Sequence, residues 1–223
     1  MSDQTPLLYF MPGTCAMAEI VALDWIGEPY RLCRVQREDR QSPAFLEMNP
    51  GGAVPVYREG DLTITQNAAI LSHLEDRYPD RGLAPAKGTA ERAAYYQWLS
   101  YFGADYHPAH YPIFKTDRFH ADESIQEQIR EHAHKGVAAH LARLNAFVAG
   151  RDTFLPSGRS LLDGYFAAVV RWSRRFHDYE QDFPEVHRLL NVLDEWEPVR
   201  RAKQIEAGEL TEGGALQGVE AFA

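Results

Sequence analysis

Residues 49–55 read Asn-Pro-Gly-Gly-Ala-Val-Pro, and two short β-prone runs follow around Glu59-Gly60, Val56 to Arg58 and Asp61 to Thr65. Proline and glycine turn the chain here. A proline can stand in a sheet only where its missing N–H is not needed, at a strand start or an edge. The pattern therefore predicts a hairpin entered through Pro55. If the Val54–Pro55 bond is cis, which only proline makes inexpensive, the N–H and C=O of Val54 project sideways from the sheet. They are then free to pair with an added extended peptide. A trans proline at an ordinary strand start is the alternative.

The surroundings of this hairpin read as an α/β unit. Leu7 to Phe10 is a short apolar run suited to a buried strand. Pro12-Gly13 turns the chain, Cys15 to Ile26 carries helical spacing, and Gly27 ends that helix as a left-handed cap. Tyr30 to Val35 reads as a second strand. Ser42-Pro43 pairs an N-cap with proline at the first helical position, opening a short helix to Met48. A further helix runs from Asn67 to Tyr78 and stops before Pro79. The order β-α-β-α-β-β-α thus occupies residues 1–80, and residues 81–87, with Gly82 and Pro85, form the expected linker.

Beyond the linker strand patterns vanish, so residues 88–203 are expected to be all-α. Glu91 to Phe102 is aromatic-rich and helical, bent or broken near Pro108 and Pro112. Ile125, Ile129, Ala133, Val137, Leu141, Leu144 and Val148 keep one face of a long helix. Ser160-Leu-Leu-Asp163 is a capping box with Asp in place of Glu, and it leads the apolar run Tyr165 to Trp172. Pro184 to Trp196 forms another helix. Residues 204–223, rich in Gly and Glu and poor in periodicity, read as a loosely held tail.

Composition narrows the function. With 23 basic against 32 acidic residues the net charge is −9, which argues against nucleic acid or an anionic membrane as the main partner. Apolar runs such as Tyr165 to Val170 fall far short of the ~20 residues a spanning helix needs. Met1-Ser-Asp-Gln-Thr lacks the basic and apolar regions of a secretory signal. Cys15 and Cys33, in unlike settings, do not suggest a disulfide framework. A reducing cytoplasm is the expected compartment. His132, His134 and His140 lack carboxylate or cysteine partners at ligand spacing, so no metal site is expected.

Cys15 stands where a strand ends and a helix begins. Backbone N–H groups and the helix dipole favour a thiolate there, so it is expected to be more acidic than a free thiol and reactive at neutral pH. The alternative is a small core residue capping a turn. Ala18 rules out a Cys-x-x-Cys pair in this loop. Cys33, mid-strand, reads as packing.

In this order and spacing, Pro12-Gly13-Thr14-Cys15, Asn49 to Pro55, His107 and the segment Ser160 to Trp172 resemble the cytosolic glutathione S-transferases, and most of all their bacterial beta class. The resemblance covers residues 7–203. It implies a thioredoxin-like N-terminal domain and an all-α C-terminal domain, with glutathione as co-substrate and no metal. Cys15 and His107 would be catalytic. Arg40, Val54, Pro55, Gln66 and Asn67 would bind glutathione: Val54 its cysteinyl backbone, Arg40 its glycyl carboxylate, and the helix start at Gln66-Asn67 its γ-glutamyl end. Tyr106, His110, Tyr111, Phe114 and Trp172 would line the site of a small hydrophobic electrophile. Tyr9 lies near where other classes keep a catalytic tyrosine, or it simply packs.

The chain departs from the family pattern with Ala16 for a serine, the amide pair Gln66-Asn67 for an acidic and a small residue, and Pro108 for a basic one. The implied reaction is thiol conjugation or thiol–disulfide exchange. A non-catalytic ligand-binding or regulatory protein on the same fold is the rival. A homodimer is also implied, with Leu62, Ile64, His73 and Arg77 of one chain facing Tyr95, Trp98 and Leu99 of the other.

Overall fold

A computed structural model describes residues 5–222; residues 1–4 and 223, the outer ends of the expected first domain and tail, lie outside the described residues. Strand β1 (Leu7–Phe10), helix α1 (Met17–Ile26) and strand β2 (Tyr30–Arg34) form a parallel crossover, with Leu7 opposite Arg31 and Phe10 opposite Arg34. Gly27 closes α1 at φ 75°, a left-handed geometry that glycine takes without a Cβ penalty. Helix α2 (Pro43–Met48) is capped by the Ser42 hydroxyl, which accepts from the Phe45 N–H at 3.2 Å. Strands β3 (Val56–Glu59) and β4 (Leu62–Thr65) make the expected hairpin, and helix α3 (Asn67–Arg77) follows.

The second half is helical: α4 (Ala90–Tyr101), α5 (Tyr111–Phe114), α6 (Glu123–Phe147), α7 (Leu161–Val170), α8 (Tyr179–Asp182), α9 (Pro184–Asp194) and α10 (Glu197–Ala207). The capping box forms as the residues suggested: Asp163 accepts from the Ser160 N–H at 2.8 Å and from the Phe154 N–H at 2.9 Å. In α6 only Val137, Leu141 and Leu144 of the apolar stripe are buried, and Ile125 is exposed, so the first turns of this helix stand off the core. None of the described helices is long and apolar enough to cross a membrane.

The tail corrects the sequence reading. Its first residues complete α10, and Leu216–Ala221 forms a strand, β5, parallel to β2, giving the sheet order β4-β3-β1-β2-β5. A ladder is made by backbone groups, so a short strand interrupted by Gly218, with Leu216 and Val219 out of strict alternation, carries little mark in the sequence. Phe222 packs edge-on against Tyr9 and Phe45 beyond the strand. That contact also places Tyr9 in a core cluster, so it packs.

Helices α1 and α7 cross closely because residue 164 is glycine. A Cβ there would lie 2.9 Å from Val21 Cγ1 and 3.2 Å from Val21 Cβ. Gly164→Ala is therefore expected to lower stability by about 1–3 kcal/mol through overpacking, despite the better helix propensity of alanine. Urea unfolding measures this, and an unchanged midpoint would contradict it. Tyr95, Trp98 and Leu99, expected to face a partner chain, are instead buried within this one. Their spacing marks core, and the exposed aromatic of that helix is Tyr96.

Candidate functional site

Two adjoining cavities open between one end of the sheet and the helical half. One, of about 340 Å³, runs from Thr65, Gln66 and Asn67 past Pro55 to Tyr165. The other, of about 550 Å³, runs from Met11 and Arg40 to Phe114 and Trp172. Cys15, Ala53, Val54, His107 and Tyr111 line both. These five mark the junction where any molecule filling both cavities must pass.

The loop before β3 builds one wall. The Val54–Pro55 bond is cis, and sheet pairing begins only at Val56, opposite Tyr9 and Thr65. The Val54 backbone therefore faces the cavity rather than a strand. Its carbonyl accepts a long contact from the Cys15 thiol, 3.9 Å from Sγ. Asn49 braces the loop: its Nδ2 donates to the Ala53 carbonyl at 2.6 Å, and its Oδ1 accepts from the Gly51 N–H at 3.0 Å. Gly52, at φ 57°, approaches Arg40 so closely that a Cβ would meet the Arg40 carbonyl at 3.0 Å. Arg40 itself reaches back to the Gly52 carbonyl at 3.5 Å and lines the larger cavity.

Gln66 caps α3 at φ 76° and ψ 123°, and it is the non-glycine residue with positive φ among those described. Such conformations persist where surrounding structure imposes them, and they concentrate at binding sites. No residue type in the sequence announced it. Asn67 begins α3 with its side chain turned inward. Its Nδ2 donates to the Cys15 carbonyl at 3.0 Å and to both oxygens of Glu19 at 2.9 and 3.0 Å. Of the expected amide pair, only Gln66 keeps its side chain exposed, while the Asn67 amide is spent beneath the cysteine.

Glu19 had no place in the sequence reading. It lies one turn after Cys15 on α1, wholly buried, and burial pushes its carboxyl well above the ordinary value of 4.5. The folded protein thus holds a proton that the unfolded chain releases above that value, so this contribution to stability is lost as pH rises from ~4.5 toward the folded value. Glu19→Gln keeps an acceptor for Asn67 and removes the titration. Relative to the parent it is expected to gain stability between pH 5 and 8, by at most ~1.4 kcal/mol per pH unit. Urea titrations of both proteins at pH 5, 6.5 and 8 measure the gap, and a constant gap would contradict it.

Cys15 itself is not the acidic thiol expected. It is only 5% exposed, and burial, reinforced by the Glu19 carboxyl, pushes its thiol far up. Helix-start donors are present but partly engaged: the Ala16 N–H meets the Thr14 hydroxyl at 3.4 Å, and the Met17 N–H meets the Thr14 carbonyl at 3.5 Å. They lower the pKa by less than desolvation raises it. Cys33, buried on β2, is pushed up to about 12 by burial first and then by Glu220 and Asp39.

The opposite wall comes from an irregular stretch. After α4 the chain makes a π-helical turn, Phe102–Tyr106, whose last bond joins the His107 N–H to the Phe102 carbonyl at 3.0 Å. Such turns are frequent at functional sites, and here one sets His107 at the junction. His107 stacks on Tyr111 and meets Trp172 edge-on at 4.8 Å between ring centres, and burial lowers its pKa. His110 is set deeper. Its Nδ1 donates to the Tyr106 carbonyl at 2.9 Å, which leaves Nε2 to accept from the Ser173 hydroxyl at 2.7 Å. Burial lowers His110 to about 4, so it is neutral at pH 7.

Tyr111, Phe114 and Trp172 line the larger cavity with His110. Tyr106 does not: it is fully buried behind this wall, near the Ser173 hydroxyl. Trp172 Nε1 donates to the Gly13 carbonyl at 2.9 Å, and Arg171 forks onto Glu206 at 2.6 and 2.8 Å. Glu206 also accepts from the Gly13 N–H at 2.9 Å. The supposed tail thus fixes the turn that precedes Cys15. No group of metal-binding side chains occurs among the described residues.

Comparison with known proteins agrees with this geometry. Residues 8–82 match the family described as glutathione S-transferase, N-terminal domain. Glutathione S-transferase GST-4.5 of Xanthomonas campestris is 30% identical over 168 residues, covering 75% of this chain and 82% of that protein. A sphingomonad glutathione S-transferase, solved in complex with glutathione, superposes with a TM-score of 0.79 at 29% identity over 90% of this chain and 98% of its own. The bacterial beta class enzyme of Sphingomonas chungbukensis superposes with a TM-score of 0.79 at 27% identity, over 92% of this chain and all of its own.

Proposed function

The chain belongs to the glutathione S-transferase family, and from that premise we propose a beta-class-like enzyme that conjugates glutathione to a small electrophile, with Cys15 as a hydrogen-bond donor to the glutathione sulfur rather than a nucleophile. The observation that carries this reading is the buried Cys15 at the junction of the two cavities, its thiol pushed far up by burial, beside a Val54 backbone that no strand pairs. The tripeptide lies along Val54 as an added antiparallel strand. Its γ-glutamyl carboxylate meets the backbone N–H groups at the start of α3, near Gln66, and its glycyl carboxylate meets Arg40. Its sulfur then falls at the junction.

There the Cys15 S–H and the neutral His107 ring stabilise the thiolate. With an aryl halide, the thiolate forms the C–S bond, halide leaves, and the thiol proton passes to solvent. The larger cavity holds the electrophile against Tyr111, Phe114 and Trp172. Family membership supports a cytoplasmic setting.

The test is calorimetric titration with glutathione, followed by turnover of glutathione with 1-chloro-2,4-dinitrobenzene. Binding with turnover is expected. Binding without turnover favours a ligand-binding protein on this fold, and no binding overturns the reading. A homodimer is part of the proposal. Strand β4 is a sheet edge with Leu62 41% exposed, and Tyr96 on α4 is 46% exposed. These replace the buried Tyr95, Trp98 and Leu99 as the apolar surface to be covered. Light scattering at micromolar concentration is expected to give twice the chain mass, and a monomer mass would refute it.

A further inference from the structure

The larger cavity carries both aromatic and cationic side chains. Arg37, Arg40, Lys115, Arg118, Arg171 and Arg175 all line it, and no aspartate or glutamate does. Two of these are committed: Arg171 is forked onto Glu206, and Arg40 reaches the Gly52 carbonyl. Among the described residues, no ion pair within 4 Å involves Arg37, Lys115, Arg118 or Arg175. Lys115 lies within the field of Arg37, Arg40 and Arg118, and burial together with these like charges lowers its pKa, while Asp117 only partly offsets them. Charges of one sign gathered in a cleft focus a field that concentrates the opposite ion.

The cluster is held in place by packing. Lys115 ends α5, and Arg118 stands in the short 3-10 turn Thr116–Arg118. That turn is fastened by buried Thr116, whose hydroxyl donates to the Pro112 carbonyl at 2.7 Å. Glutathione brings one glycyl carboxylate to this end of the site. Set against Arg40, it leaves Arg37, Lys115 and Arg118 offset only in part, by Asp117.

We propose that the electrophile is itself an anion: a small molecule with a flat apolar body for Phe114 and Trp172 and a carboxylate seated on Lys115 and Arg118. This replaces the purely hydrophobic electrophile expected from the sequence, and it rests on the transferase reading above. The reaction at sulfur is unchanged, because the carboxylate binds and does not react. The seat selects the substrate and orients its reactive carbon toward the junction at Cys15.

Two S-substituted glutathiones that differ only in one charge provide the test, S-(4-carboxybenzyl)glutathione and S-(4-carbamoylbenzyl)glutathione. Each is titrated at low salt into the parent protein and into the Lys115→Gln/Arg118→Gln double variant, with circular dichroism as the check on folding. The parent is expected to bind the carboxylate about tenfold more tightly than the amide. In the double variant that ratio is expected to fall toward one. Equal affinities in the parent would overturn the proposal alone, since glutathione would still be bound. A preference that survives in the folded double variant would overturn the assignment to Lys115 and Arg118. Failure of the parent to bind either compound would overturn the transferase reading, and this proposal with it.

Discussion

Glu75→Ala is expected to destabilise the protein by about 3–5 kcal/mol, the range for removing one partner of a buried ion pair. Glu75 on α3 and Arg92 on α4 are both buried, and they pair directly, tying the two helices together. The Tyr95 hydroxyl donates to the same carboxylate. Arg92 also donates to the Pro85 carbonyl at 3.0 Å and lies over the rings of Tyr95 and Tyr96. Removing the carboxylate strands a guanidinium and a phenol in the interior, and that desolvation accounts for the loss. The double replacement Glu75→Leu/Arg92→Met removes both charges and is expected to recover most of it. Urea unfolding of the three proteins measures this. A loss under ~1 kcal/mol for Glu75→Ala would mean that water reaches the pair.

The second large effect concerns Cys15. With both thiols buried and pushed up, alkylation of the unliganded protein at pH 7 is expected to leave Cys15 and Cys33 unmodified, as peptide mapping would show. Cys15→Ala then removes a donor from the glutathione sulfur, not a nucleophile. It is expected to lower kcat/KM for conjugation by about tenfold to a hundredfold near pH 6.5, less than the loss of a full oxyanion-hole donor. The rising limb of the pH profile should move to higher pH, because the bound thiol becomes harder to ionise. Cys15→Ser supplies a hydroxyl at the same place and is expected to restore part of both. An unchanged profile in Cys15→Ala would show that His107 and backbone donors carry the thiolate alone.

What the residues disclosed in advance was what local chemistry dictates. Pro55 could stand only where a ladder bond is absent, and the bond before it is cis. Gly27 ended a helix, Ser42 and Ser160 began others, and the order of strands and helices through α3 follows from such signals. The features that escaped are made by residues far apart in the chain. Asn67 reads as a helix start, and nothing nearby shows that its amide is claimed by Glu19, 48 positions earlier. The same distance effect misled the reading of Cys15: a helix start lowers a thiol pKa, but burial under the helical half and the Glu19 carboxyl outweigh it. Strand β5 pairs with β2 from the far end of the chain, and Glu206 grips Gly13 across 193 positions. The cationic rim gathers Arg37 and Arg118 from different halves of a chain whose net charge is −9, so composition hid it.

The central claim is that glutathione lies across the Val54–Pro55 loop with its sulfur at Cys15. A crystal structure of the protein grown with glutathione tests it most directly. The account predicts the cysteinyl backbone paired antiparallel with Val54, the γ-glutamyl carboxylate at the start of α3, and the glutathione sulfur within ~4 Å of Cys15 Sγ with no S–S bond between them. A tripeptide bound away from Val54, or a mixed disulfide at Cys15, would contradict it.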